Sequence, residues 1–72
     1  MSRVLVVTEA RFLQEGDRVA GTLEQTWADE EEVVWVVAGT KKGYVSIAFS
    51  NGVVMHNVPS RDEFKVVAPK AR

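Results

Sequence analysis

GYVSIAFSNGVVMHNVP, residues 43–59, holds two β-rich runs on either side of an Asn51-Gly52 turn. Both turn residues tolerate the positive φ that a tight turn between twisted strands requires. Asn-Gly between alternating segments is therefore the strongest local hairpin signal. Before the turn, Val45, Ile47 and Phe49 share one parity, and Tyr44, Ser46 and Ala48 share the other. The odd-numbered set is the expected core row. Beyond the turn, Pro59 has no N–H for a ladder and stops the hairpin. Residues 60–63 then suit one tight helical turn before a last strand carrying Phe64, Val66 and Val67.

The hairpin register decides where His56, the only histidine, points. A two-residue Asn51-Gly52 turn pairs Phe49 with Val54 and Ile47 with His56, which puts His56 on the core row. A three-residue loop of Ser50, Asn51 and Gly52 pairs Phe49 with Val53 and turns His56 outward, because a slip of one residue exchanges the faces. Val58, just before Pro59, should be buried and shares the parity of His56, which favours the first register.

Upstream, residues 4–7 form a continuous apolar run, consistent with a strand buried on both faces or lying across the others. Thr8 can cap a short helical turn over 9–14 that ends at Gly16, with Phe12 and Leu13 covering one end of the core. Residues 18–27 read as a strand with Val19, Leu23 and Trp27 on its core parity. Gly21 inside it suits a sharp bend or a close strand crossing. Asp29, Glu30, Glu31 and Glu32 repel one another and predict a solvated acidic loop over 28–32. Residues 33–38, VVWVVA, are apolar at both parities, so a second row must be covered by the N-terminal segment or by another subunit. The expected self-association surface is Val34, Trp35 and Val36. Gly39 and Gly43 bound the turn to the next strand. The expected fold is all-β: one domain over residues 1–67, a five-stranded small barrel with a short N-terminal helical turn, followed by a flexible tail over 68–72.

Seventy-two residues allow one domain of marginal size, and the absence of cysteine excludes disulfides and thiolate metal sites. A hydrophobic share of 46%, rich in valine, argues against disorder. A formal charge of −1 supplies no global attraction to phosphate backbones or anionic lipids. The N-terminal apolar run is too short for a signal-peptide core, and no stretch approaches a membrane span, so a cytoplasmic location is expected.

GDRVAG (16–21), AFSNG (48–52) and VPSRDEFKVV (58–67) together resemble the SH3-like barrels, including KOW-like and Tudor-like domains. The resemblance covers about two-thirds of the chain. The pattern also looks like the type II dihydrofolate reductases, SH3-like protomers whose tetramer lines a pore with a Gln-Ile-Tyr run after the hairpin glycine. Met55, His56 and Asn57 stand in that place here, so the site of that family is not implied. That comparison implies only that short barrels can assemble through their outer strand faces. Free-standing barrels of this size also resemble accessory proteins of phages or mobile elements that block or recruit a host protein, by analogy alone.

Catalytic signals are absent. Ser46, Ser50, Ser60 and Asp62 lie near His56 in sequence without a nucleophile-elbow or triad pattern, and His56 has no second ligand at metal-binding spacing. No cofactor is expected, and His56 is kept as a ligand-contacting or pH-sensing candidate. The favoured expectation is a non-enzymatic protein-binding module that self-associates. It would present Trp27, Asp29, Glu30, Glu31, Glu32 and Tyr44 to a basic partner segment through charge steering and ring contacts. The alternatives are a KOW-like or Sm-like nucleic-acid binder using Lys41, Lys42, Arg61, Lys65, Lys70 and Arg72, and an oligomeric enzyme whose site spans a symmetry axis.

Overall fold

The computed structural model describes residues 4–68. Six strands run in chain order: β1 (Leu5–Glu9), β2 (Arg18–Thr22), β3 (Thr26–Ala38), β4 (Tyr44–Phe49), β5 (Val54–Pro59) and β6 (Glu63–Val67). A 3-10 turn (Ala10–Phe12) follows β1. All pairings are antiparallel, in the order β1-β6-β2-β3-β4-β5, and the sheet is not closed. The protein is all-β as expected, but with six strands in an open sheet where five in a barrel were expected.

Two local events change the strand plan. The N-terminal run is a strand that reaches Glu9, paired along its length with β6 from Leu5 opposite Val67 to Glu9 opposite Glu63. Leu5, Val6 and Val7 are exposed rather than buried on both faces, because β1 lies at the sheet edge. The long second strand breaks at residues 23–25 into β2 and the start of β3. There the Thr22 N–H donates to Gln25 O at 2.8 Å, and the Gln25 N–H to Thr22 Oγ1 at 3.2 Å. Gly21 makes this break feasible: its φ is +144°, and a Cβ there would lie 2.2 Å from the Gln25 carbonyl oxygen. Leu23, expected on the core row, is consequently exposed in the turn.

The expected acidic loop is also strand. Residues 28–32 lie within β3, where Glu31 pairs with Val19 and Glu32 with Arg18. Alternation explains how four carboxylates share a strand: Asp29 and Glu31 project on the row of Trp27 and Val33, Glu30 and Glu32 on the other. On that second face Arg18 stands between them, with Nε 3.4 Å from Glu30 and an Nη 3.9 Å from Glu32.

The core joins Ala10 and Leu13 to Val19, Val33, Ile47, Phe49, Val58, Phe64 and Val66, with Trp27, Val36, Val45 and Met55 packed against it. Strands far apart in the sheet order contribute to this one cluster, so the sheet coils around it. Thr8 lies in β1 and caps nothing; Glu9 precedes the 3-10 turn without a side-chain cap. Leu13 is buried as expected. Phe12 is instead exposed, with the Arg11 guanidinium 4.6 Å from its ring centre.

Two bulges set which side chains face inward. In β3, Val33 pairs with Phe49 but Trp35 with Ala48, so one extra residue is accommodated. Val33 is buried and Val36 packs on the core, while Val34, Trp35 and Val37 are exposed. In the hairpin, the Phe49 N–H bonds Val53 O, and Ile47 pairs with Met55, which is the three-residue register. Further along, Val45 pairs with Val58, so His56 and Asn57 together oppose Ser46. Asn57 takes up the extra residue with φ +52°. Its Oδ1 accepts from the Thr40 N–H (3.1 Å) and Thr40 Oγ1 (3.2 Å), tying the bulge to the turn after Gly39.

Val58 is therefore buried while His56 is exposed, which corrects the expected core position of His56. Burial of Val58 was a sound premise. Shared parity was not, because the bulge resets it.

Of the expected tail, residues 69–72 lie outside the described residues, as do residues 1–3 of the expected domain. Ala68 continues the ladder, its N–H donating to Val4 O at 2.9 Å. Among the described residues no helix is long and apolar enough to cross a membrane.

Candidate partner-binding cleft

The inward row of the first half of β3 leaves the core at its open end and becomes the wall of a cleft. Trp27, Asp29, Glu31, Phe49, Asn51, Val53 and Met55 line a volume of about 300 Å³. Trp27 and Phe49 form its floor, edge to face, with ring centres 5.4 Å apart and planes at 88°. This arrangement suits the ring quadrupoles and fixes both rings. Met55 and Val53 add an apolar side from the far arm of the hairpin.

The carboxylates stand at the rim. Ser50 Oγ donates to Glu31 Oε1 at 3.3 Å and accepts from the Glu32 N–H at 3.2 Å, so the hairpin turn holds the Glu31 carboxylate toward the cleft. The turn itself is braced by Asn51 Oδ1, which accepts from the Val53 N–H at 2.9 Å. Two anionic groups at the edge of an apolar, ring-floored hollow can attract and seat a cation with an apolar stem, because the stem buries against the rings while the charge stays near the carboxylates.

Of the residues singled out in the sequence, the fold gathers Trp27, Asp29 and Glu31. It sends Glu30 and Glu32 to the opposite face with Arg18, and it leaves Tyr44 away from the cleft, at the far end of β4 opposite Pro59. Three further lining residues were not anticipated, Asn51, Val53 and Met55, and a fourth is Phe49. Phe49 was read as core, and it is both, since one side packs inward while the cleft opens over the other. Its position next to the Asn51-Gly52 turn, at the end of the core row, is the one local signal; the cleft itself comes from the pairing with Val33.

Val34 and Trp35 lie exposed on β3, and Val36 lies against the core. His56 is exposed on β5, and among the described residues no group of three or more His, Cys, Asp or Glu could hold a metal ion. Lys65 Nζ donates to Thr26 Oγ1 at 2.9 Å. The turns carrying Lys41 and Lys42 and carrying Arg61 adjoin through the Ser60 N–H to Gly43 O bond of 2.9 Å, and Lys70 and Arg72 lie outside the described residues. Comparison with known proteins returns no match to a family model, a curated protein or a solved structure.

Proposed function

We propose that the chain is a non-enzymatic binding module, acting in the cytoplasm, whose Trp27–Asp29–Glu31 cleft receives a cationic side chain from a basic segment of a protein partner. The observation that carries this function is the placement of two carboxylates on the same strand row as Trp27, beside a hollow lined also by Phe49, Val53, Met55 and Asn51. A cation seated against a ring gains from about 0.5 to 2 kcal/mol, depending on how far it is desolvated. The carboxylates add steering on approach. The order β6-β2-β3-β4-β5, with a tight turn at residues 59–62 before the last strand, supports treating this sheet as an SH3-like meander preceded by one extra strand. A module of this kind, working as an accessory factor of a phage or mobile element, would engage its host partner through this cleft.

The test is titration of the full chain with a short alternating Lys-Ser peptide, with a Glu-Ser peptide and a single-stranded oligonucleotide alongside. The Lys-Ser peptide is expected to bind, and the paired change Asp29→Asn with Glu31→Gln, which preserves side-chain shape, is expected to weaken it at least tenfold at low salt. Unchanged affinity in that variant would exclude the cleft. Binding of the oligonucleotide alone, falling steeply with salt, would replace this function with nucleic-acid recognition.

A further inference from the structure

The open sheet has two edges, and they are built differently. At β5 the edge is interrupted by the His56–Asn57 bulge, by the left-handed Asn57 and by Pro59, three devices that discourage pairing with another strand. At β1 none of these is present. Leu5 to Glu9 pair with β6 in unbroken register, and the strand has no proline, lysine or bulge. Its apolar residues are left in the open on both faces, with Val7 50% exposed, Val6 46% and Leu5 42%, and Val4 just before it is 66% exposed.

The ladder fixes which backbone groups are spare. The Ala68 N–H donates to Val4 O, and the Ala10 N–H donates to Asp62 O at 2.7 Å. In an antiparallel pair, residues that exchange hydrogen bonds alternate with residues that do not. Val4, Val6 and Thr8 therefore turn their N–H and C=O toward β6, and Leu5, Val7 and Glu9 turn theirs to the free edge.

We propose that β1 is the pairing edge of a two-fold dimer, in which two copies of this chain join β1 to β1 antiparallel and extend one sheet across the axis. An antiparallel edge is complementary to its own two-fold copy, donor to acceptor. A two-fold axis normal to the sheet allows only residues of equal parity to face each other. Centred on Val6, the pairing sets Leu5 opposite the partner's Val7 and Val7 opposite the partner's Leu5. These are the outward-pointing residues, so four hydrogen bonds form. Val4 then faces the partner's Thr8, and every side chain in the block is apolar or threonine.

Centring on Val7 would instead set the Glu9 carboxylate beside the partner's Leu5, which disfavours it. On the inner face, Val6 of the second copy extends the apolar floor already made by Val6, Phe12 and Val66.

Val7→Pro and Val7→Lys test the dimer. The Val7 N–H points outward, so the proline removes a donor from the free edge and none from the bond to β6. The lysine places a charge on the edge and leaves every backbone group intact. The wild-type chain is expected to sediment as a dimer at about 100 μM. Both variants are expected to be monomers with unchanged far-ultraviolet circular dichroism. In the wild type, the Leu5 and Val7 amides should exchange at least tenfold more slowly than in Val7→Lys. A wild-type monomer at that concentration would overturn the proposal. So would a dimer that survives both changes, or one that Trp35→Ala dissociates and Val7→Lys does not.

Discussion

β3 is one strand with two chemistries. Its first half, residues 26–32, carries four carboxylates in a row, and its second half, residues 33–38, is wholly apolar, with four valines in six residues. Both halves are extended and paired, the first with β2 and the second with β4. In the acidic half, the composition argues against a strand, and the pairing with β2 overrides it. That outcome is tolerable because alternation separates neighbouring charges and Arg18 faces two of them. In the valine half, the composition argues for a strand at every position, yet it does not say which valines are inside. The extra residue near Val34 decides that. Strand propensity is weak evidence against partners brought from elsewhere in the chain, and it carries no information about facing.

The largest expected effect lies at the joint that lets the acidic half pair at all. Gly21→Ala places a Cβ against the Gln25 and Thr26 backbone, at 2.2 and 2.9 Å, in a conformation that L residues rarely adopt. The loss should exceed about 3 kcal/mol, enough to unfold much of a domain this small. Urea denaturation would show it, and a variant of wild-type stability would mean that β2 and β3 do not cross closely at Gly21.

Within the valine half, Val33→Ala should cost about 2 kcal/mol, since buried methyl groups are removed and a void is left. Val37→Ala, on the exposed row, should stay within about 0.5 kcal/mol. Equal costs at the two positions, measured as shifts of the urea midpoint, would put the bulge in the wrong place.

Arg18→Ala should have the smallest effect, below about 1 kcal/mol, because its own side chain is half exposed and the Arg18–Glu30 and Arg18–Glu32 contacts are long, at 3.4 and 3.9 Å. High salt should shrink even that difference. A loss larger than that of Val33→Ala would mean that charge pairing, and not alternation, holds the acidic half extended.

Much of the architecture was legible in the residues. Asn51-Gly52 announced the hairpin, Gly21 the close crossing, and Pro59 the end of β5, since each needs only local backbone geometry. The core members Val19, Ile47 and Phe49 followed from alternation, and Val58 from its place before Pro59. The candidate cleft was half legible. Trp27 with neighbouring acids was visible as a group, but that Asp29 and Glu31 join the ring while Glu30 and Glu32 leave it required knowing that the segment is strand. A hydrophilic run carries no period of its own to betray this. Phe49, Val53 and Met55 come to the cleft only through the pairing of β3, β4 and β5.

By itself, the sequence determined that this chain makes antiparallel β structure around one core, because turn chemistry and valine content act over a few neighbouring residues. Only the tertiary structure decided the facing of His56, the split of the four carboxylates and the unequal edges at β1 and β5. Each depends on a register between distant segments. A single inserted residue in that register reverses every side chain beyond it without leaving a mark in the local sequence.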